Sequence, residues 1–150
     1  MSLEKQITED LKVAMKAKDQ AALRATRAIK AAILLKKTDG SHKEIDDGEE
    51  LKLLQKLVKQ RKESLDIFKK QGRQDLAKIE EEEIQIIEKY LPAQLNEEEV
   101  KEVVDKIIVT TGATSMKDMG RVMVLANQEM AGKADGKMIA SLVKSILQTN

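Results

Sequence analysis

The chain is 150 residues long, 41% apolar and 35% charged, with aromatics at 1% and a net charge of +1. One Phe, one Tyr, no Trp, a single Pro and plentiful Ala, Leu, Lys, Glu and Ile argue against an all-β architecture and for long exposed helices. With no cysteine and a single histidine, His42, thiolate metal sites, disulfides, catalytic thiols and His-pair zinc sites are excluded.

In chain order, Leu3, Ile7, Leu11, Ala14 and Met15 carry the spacing of a first amphipathic helix over residues 3–17. Asp19 can cap a second, with apolar positions at Leu23, Ile29, Ile33, Leu34 and Leu35. Residues 38–42, Thr-Asp-Gly-Ser-His, read as a loop. Asp46 with Glu49 resembles a capping box and opens a third helix, marked by Leu51, Leu54, Leu57, Val58, Leu65 and Phe68 and ended at Gly72. A fourth follows with Leu76, Ile79, Ile86, Ile87, Tyr90 and Leu91, and Pro92 stops it. Asn96 and Glu99 then start a fifth, with Val100, Val103, Val104, Ile107 and Ile108, which ends before Gly112. Ser115 can cap a sixth, with Met116, Met119, Met123, Val124 and Met130, closed by Gly132; Gly120 within it suggests a close backbone approach. Asp135 can cap a seventh, with Met138, Ile139, Leu142, Val143, Ile146 and Leu147. The expected fold is all-α, with an N-terminal helical hairpin domain over 1–94 and a C-terminal three-helix domain over 95–150.

The N-terminus, Met1-Ser2-Leu3-Glu4-Lys5, lacks the apolar stretch of a signal peptide, and no apolar run approaches the roughly 18 residues that span a membrane. A cytoplasmic, soluble protein without a membrane partner is the expectation. The balanced net charge steers the whole chain toward no polyanion, so no DNA partner is expected and any nucleic-acid preference needs a local patch.

Chemistry-bearing constellations are few. Glu80 to Glu83 spread around a helix, yet Glu83 interrupts the apolar stripe between Ile79 and Ile87. Arg61 does the same between Val58 and Leu65, at a similar distance from the turn at Gly72. The two are expected to face each other as a structural pair; a carboxylate cage of the di-iron type would need histidines that the helices lack. Ser2, Ser41, Ser64, Ser115, Ser141 and Ser145 have no activating neighbour. Residues 132–138, Gly-Lys-Ala-Asp-Gly-Lys-Met, superficially resemble a phosphate loop but have the wrong glycine spacing, no Ser or Thr after the lysine, and a helix before them. No catalytic residue, metal site or cofactor is therefore assigned. The same turn does place lysines at a helix start, where backbone N–H groups attract anions. Lys117, Arg121, Lys133, Lys137 and Lys144 are expected to form one basic face around it, with Gly132 ending the sixth helix and Asp135 beginning the seventh.

The ordered motifs resemble the YqeY-like family over essentially the whole chain. They are Lys59-Gln60-Arg61-Lys62-Glu63-Ser64, Gly72-Arg73-Gln74-Asp75-Leu76 leading to Glu80 and Glu83, and Tyr90-Leu91-Pro92-Ala93-Gln94-Leu95 with Asn96-Glu97-Glu98-Glu99. Asp118-Met119-Gly120-Arg121-Val122-Met123, Ala134-Asp135-Gly136-Lys137 and Val143-Lys144 complete them. Where that family usually reads Ala-Ala-Ile-Lys, this chain has Ala31-Ala32-Ile33-Leu34. The resemblance implies a two-part helical protein whose C-terminal part is similar to the tail domain of GatB, a subunit of the glutamine-dependent tRNA amidotransferase. That tail contacts the outer body of tRNA, so tRNA or structured RNA is the implied partner. The alternatives are a helical adaptor with a protein partner, docking through the Met-bearing sixth helix or exposed charged faces, and a carbon–nitrogen ligase with glutamine as amido donor, or an accessory to one.

Overall fold

A computed structural model describes residues 2–40 and 44–149. Ser41 and His42, the end of the loop expected after the second helix, lie outside the described residues. Among those described there are seven α-helices and no strand: α1 Leu3–Ala17, α2 Gln20–Lys37, α3 Asp47–Lys70, α4 Gln74–Glu88, α5 Glu97–Thr111, α6 Met119–Glu129 and α7 Gly136–Thr149. The fold is all-α. No described helix is long and apolar enough to cross a membrane.

Helix starts follow side-chain oxygens. Ser2 accepts from the Lys5 N–H, Asp19 from Ala22 and Asp46 from Glu49, each taking one of the orphan donors of a first turn. Asn96 and Glu99 exchange hydrogen bonds at 2.9 and 3.1 Å, a complete capping box. At Asp46 only the forward bond is recorded. α4 starts from Arg73 without a side-chain cap; Gly72, at φ +71°, turns the chain into it. α4 ends at Glu88, short of Pro92, and Lys89, Tyr90 and Leu91 make tighter i→i+3 bonds back to Ile86, Ile87 and Glu88.

The chain divides into two compact units, residues 1–91 and 92–150. The connector after Pro92 belongs to the second: the Gln94 amide donates to the Gly132 carbonyl at 2.8 Å and the Leu95 N–H to that of Lys133 at 2.9 Å.

In the first unit α1 packs on α2, α2 on α4, and α3 on α4, while α3 touches α2 only sparingly. Ion pairs Lys69–Glu81 and Lys62–Glu88, both 3.4 Å, match the head of α4 to the tail of α3, so the two run antiparallel. The core joins Leu3 and Ile7 to Ala25, Ile29 and Ile33, and these to Leu54, Val58, Ile84, Ile87 and Leu91. Leu34 and Leu35, expected on the buried stripe, are 49% and 76% exposed, because the stripe runs through Ile29 and Ile33, and the two leucines lie about 100° and 200° around the helix from Ile33. Met15 is likewise exposed.

The second unit packs three stripes at i, i+4: Val100, Val104 and Ile108 of α5, Val122, Ala126 and Met130 around α6, and Ile139, Val143 and Leu147 of α7. The sixth helix corrects its sequence reading. Its first turn, Met116–Asp118, is a 3-10 turn capped by Ser115, with three residues per turn. Along α6 and the residue that caps its end, the buried stripe is Val122, Ala126 and Met130; Val124 faces away from it, Met116 on the preceding turn is exposed, and Met119 and Met123 lie at its edge. Gly120 is exposed, and a Cβ there would meet nothing within 4 Å, so it supports no close backbone approach.

Candidate nucleic-acid interface

Gly132, at φ +73°, does not itself end the sixth helix. The last helical residue is Glu129, and Met130 to Lys133 form the turn. Asp135 stands just before α7: its carboxylate accepts the Lys137 N–H at 3.2 Å and its carbonyl that of Ile139 at 3.1 Å. The Lys133 N–H already donates to the Met130 carbonyl at 2.9 Å. Two of the N–H groups expected to converge on an anion are thus bonded within the turn, and a carboxylate already sits at the helix start. What the turn offers to solvent is the pair of lysine side chains. Lys133 and Lys137 are exposed and, among the described residues, form no ion pair; the same holds for Lys117 and Lys144.

Arg121 is placed differently. Its guanidinium donates to the Thr111 carbonyl at 3.1 Å and lies 3.4 Å from Asp118, bracing the end of α5 against the start of α6. Asp118 accepts the N–H groups of Thr114 and Ser115 at 2.9 and 3.4 Å. Those bonds, with the Arg121 charge behind them, hold the Asp118 carboxyl below its ordinary pKa. Arg121 is a brace for the loop joining α5 to α6, a contact across the loop that helical spacing does not show. Lys117 and Arg121 lie at the start of α6 and Lys133 beyond its end, a separation of about 15 Å at 1.5 Å per residue. The structure therefore groups Lys133 with Lys137 at the turn and does not gather all five bases there; Lys144 lies two turns further along α7. Unit-wide charge is balanced, seven basic against eight acidic residues over 92–150, with acids concentrated at the start of α5.

In the first unit Arg61 and Glu83 do face each other across α3 and α4, their side chains 17% and 12% exposed, at 3.9 Å between Nε and Oε2. That distance is an ion pair without a hydrogen bond: the Arg61 Nε has no acceptor, and its Nη1 donates to the Leu57 carbonyl at 3.0 Å. Burial and the Glu83 charge hold the neighbouring Glu80 carboxyl above its ordinary pKa, against the pull of Arg61. Arg24 reaches Glu82 at 2.9 Å from α2. Among the described residues no group of three or more acidic or histidine side chains is arranged to hold a metal. The Tyr90 hydroxyl donates to the Asp10 carboxylate, tying the end of α4 to α1, and burial with that carboxylate raises the phenol pKa.

Fold and surface together describe a two-unit helical protein whose smaller unit is a three-helix bundle with free lysines at one turn. The chain belongs to the YqeY-like protein family, which matches residues 4–147. It is similar to yeast proteins named altered inheritance of mitochondria protein 41, mitochondrial. With that of Eremothecium gossypii it shares 40% identity over 87 residues, 58% of this chain and 48% of that protein, so the match spans about half of that relative. With that of Kluyveromyces lactis it shares 32% over 142 residues, 93% of this chain and 72% of the relative. With that of Clavispora lusitaniae the identity is 33% over 142 residues, 91% and 82%. These names correct the expectation of a cytoplasmic protein, since the relatives are named as mitochondrial. The composition argument had no power here: a charged N-terminus and short apolar runs do not tell one aqueous compartment from another.

Proposed function

We propose that this chain is a stand-alone module that binds tRNA or structured RNA through sugar–phosphate contacts and carries no chemistry of its own. The observation that carries the reading is the set of free, exposed ammonium groups on the second unit, with Lys133 and Lys137 together at one turn. Its resemblance to the amidotransferase tail points the same way. Phe68 and Tyr90 both lie in the first unit, so the second has no aromatic ring on which to stack a base. Recognition would rest on backbone and shape, with little base preference.

The test is tRNA affinity across a salt series, for the wild type and for Lys133→Glu with Lys137→Glu. Each phosphate neutralised contributes about 0.7–0.9 to the slope of log affinity against log salt. The double variant should bind at least tenfold more weakly and flatten that slope by about 1.5. Unchanged affinity, or no binding at low salt, overturns the reading and favours an adaptor. The exposed apolar side chains Val109, Val124 and Leu125 on α5 and α6 are what such an adaptor would use.

A further inference from the structure

α2 is apolar on two faces. One, through Ala25, Ile29 and Ile33, is buried in the core. The other, Ala28, Ala31, Ala32 and Leu35, repeats at i, i+3, i+4 and i+7 and is left open, with Leu35 76% exposed. Because α3 leans on α4 and touches α2 sparingly, this second face and Leu53 and Leu57 of α3 line an open groove of about 610 Å³. It runs along some three turns of both helices, about 15 Å. Alanines on one wall let an incoming backbone come close, and leucines on the other give it apolar surface to cover.

The charge on the rim selects the occupant. Further along α3, basic side chains are matched to acids of α4: Arg61 to Glu83, Lys62 to Glu88 and Lys69 to Glu81. Lys52 and Lys56, on the groove side, form no ion pair among the described residues. They are one helical turn apart, about 6 Å, the spacing of two carboxylates at i and i+4 on a facing helix. Lys36 is already 3.4 Å from Asp39, and Glu49 lies with them at the loop end of the groove. An alanine and leucine floor offers RNA no hydrogen-bond partner.

We propose that the groove between α2 and α3 receives an amphipathic helix of a protein partner, its apolar side on Ala28, Ala31, Ala32, Leu53 and Leu57 and its acidic flank on Lys52 and Lys56. This is a second surface, on a different unit from the lysines of the RNA reading, and it stands or falls separately.

The probe is a synthetic 18-residue helical peptide with leucines at i, i+3, i+4 and i+7 and glutamates on the adjoining face, titrated into the full chain by fluorescence anisotropy. A second peptide has every glutamate replaced by lysine. The acidic peptide should bind at least tenfold more tightly than the basic one. Lys52→Glu with Lys56→Glu should abolish or reverse that preference, and Ala31→Glu should weaken the acidic peptide by tenfold or more. Ala31, Lys52 and Lys56 are exposed helix positions, and circular dichroism checks that each variant keeps its helix content. Equal affinity for both peptides, no binding of either, or a preference untouched by the variants overturns the proposal. Displacement of the acidic peptide by tRNA, or by phosphatidylserine vesicles, overturns it too, since it would assign the groove to another polyanion. Lys133→Glu with Lys137→Glu should leave peptide binding unchanged, which separates its failure from that of the RNA reading.

Discussion

Of the nine ion pairs among the described residues, eight fall within residues 1–91 and one within 92–150. The apolar core is distributed the other way: the smaller unit buries a continuous cluster from Val100 to Leu147, larger than the cluster of the first unit. Exposed ion pairs contribute about 0–1 kcal/mol each, so the first unit's pairs set helix register more than they stabilise. The second unit, about sixty residues and marginal by size, rests on its apolar stripes instead. Its single ion pair closes a loop, and none of its six lysines forms an ion pair among the described residues. A unit held by its core can leave its cations free for a partner; one laced by charge commits part of its own to holding helices in register.

The largest expected effect tests the apolar half of that contrast. Ile139 is 2% exposed at the centre of the second core. Ile139→Ala should cost about 2–4 kcal/mol and unfold the second unit first, while amide exchange in α3 and α4 stays protected. Loss of protection in both units at once would mean that they do not differ in this way.

Next comes the buried charge of the first unit. Arg61→Met should destabilise by about 1–3 kcal/mol by leaving Glu83 unpaired among apolar side chains, and Glu83→Leu should do the same to Arg61. The two together should return most of the loss, because the 3.9 Å pair makes no hydrogen bond between its partners. Urea denaturation of the four members of the cycle measures it. A double variant as unstable as the sum of the singles would make the pair a stabilising device after all.

The smallest effect is a pH dependence of opposite sign in the two units. Glu80, held above its ordinary pKa, keeps its proton more tightly folded than unfolded, so its ionisation detracts from stability as pH rises from the ordinary carboxylate value through the folded one. Asp118, held below, adds stability that is present above its unfolded pKa and lost as pH falls through the folded value. Glu80→Gln should therefore raise the melting midpoint of the first unit at neutral pH and leave it unchanged near about pH 3. Asp118→Asn should lower that of the second at neutral pH, with the difference closing in acid. Equal shifts at both pH values would point to lost packing.

Helix starts were legible because Asp19, Asp46, Asn96 and Ser115 act on N–H groups only two or three residues away. The apposition of Arg61 and Glu83 was legible for a related reason: a short turn at Gly72 makes equal distance along two helices a spatial neighbourhood. Non-local features were not. The partner of Arg121 is a carbonyl ten residues back, brought near by a loop, and the 3-10 turn takes Met116 out of the α-helix that follows. The capping role of Asp135 is legible in the sequence, but its corollary is not: a cap uses the very N–H an anion would need. Ala28, Ala31 and Ala32 read as ordinary helix formers; only the lean of α3 toward α4 turns them into a wall.

The hydrogen bond from Tyr90 to Asp10 has a practical consequence. As the only tyrosine in a chain without tryptophan, Tyr90 dominates near-ultraviolet absorption and emission, and it sits where α1 meets the end of α4. The second unit is optically silent in that window. Intrinsic fluorescence therefore follows the first unit alone, while far-ultraviolet dichroism follows both, and subtracting one transition from the other isolates the lysine-bearing bundle without a label.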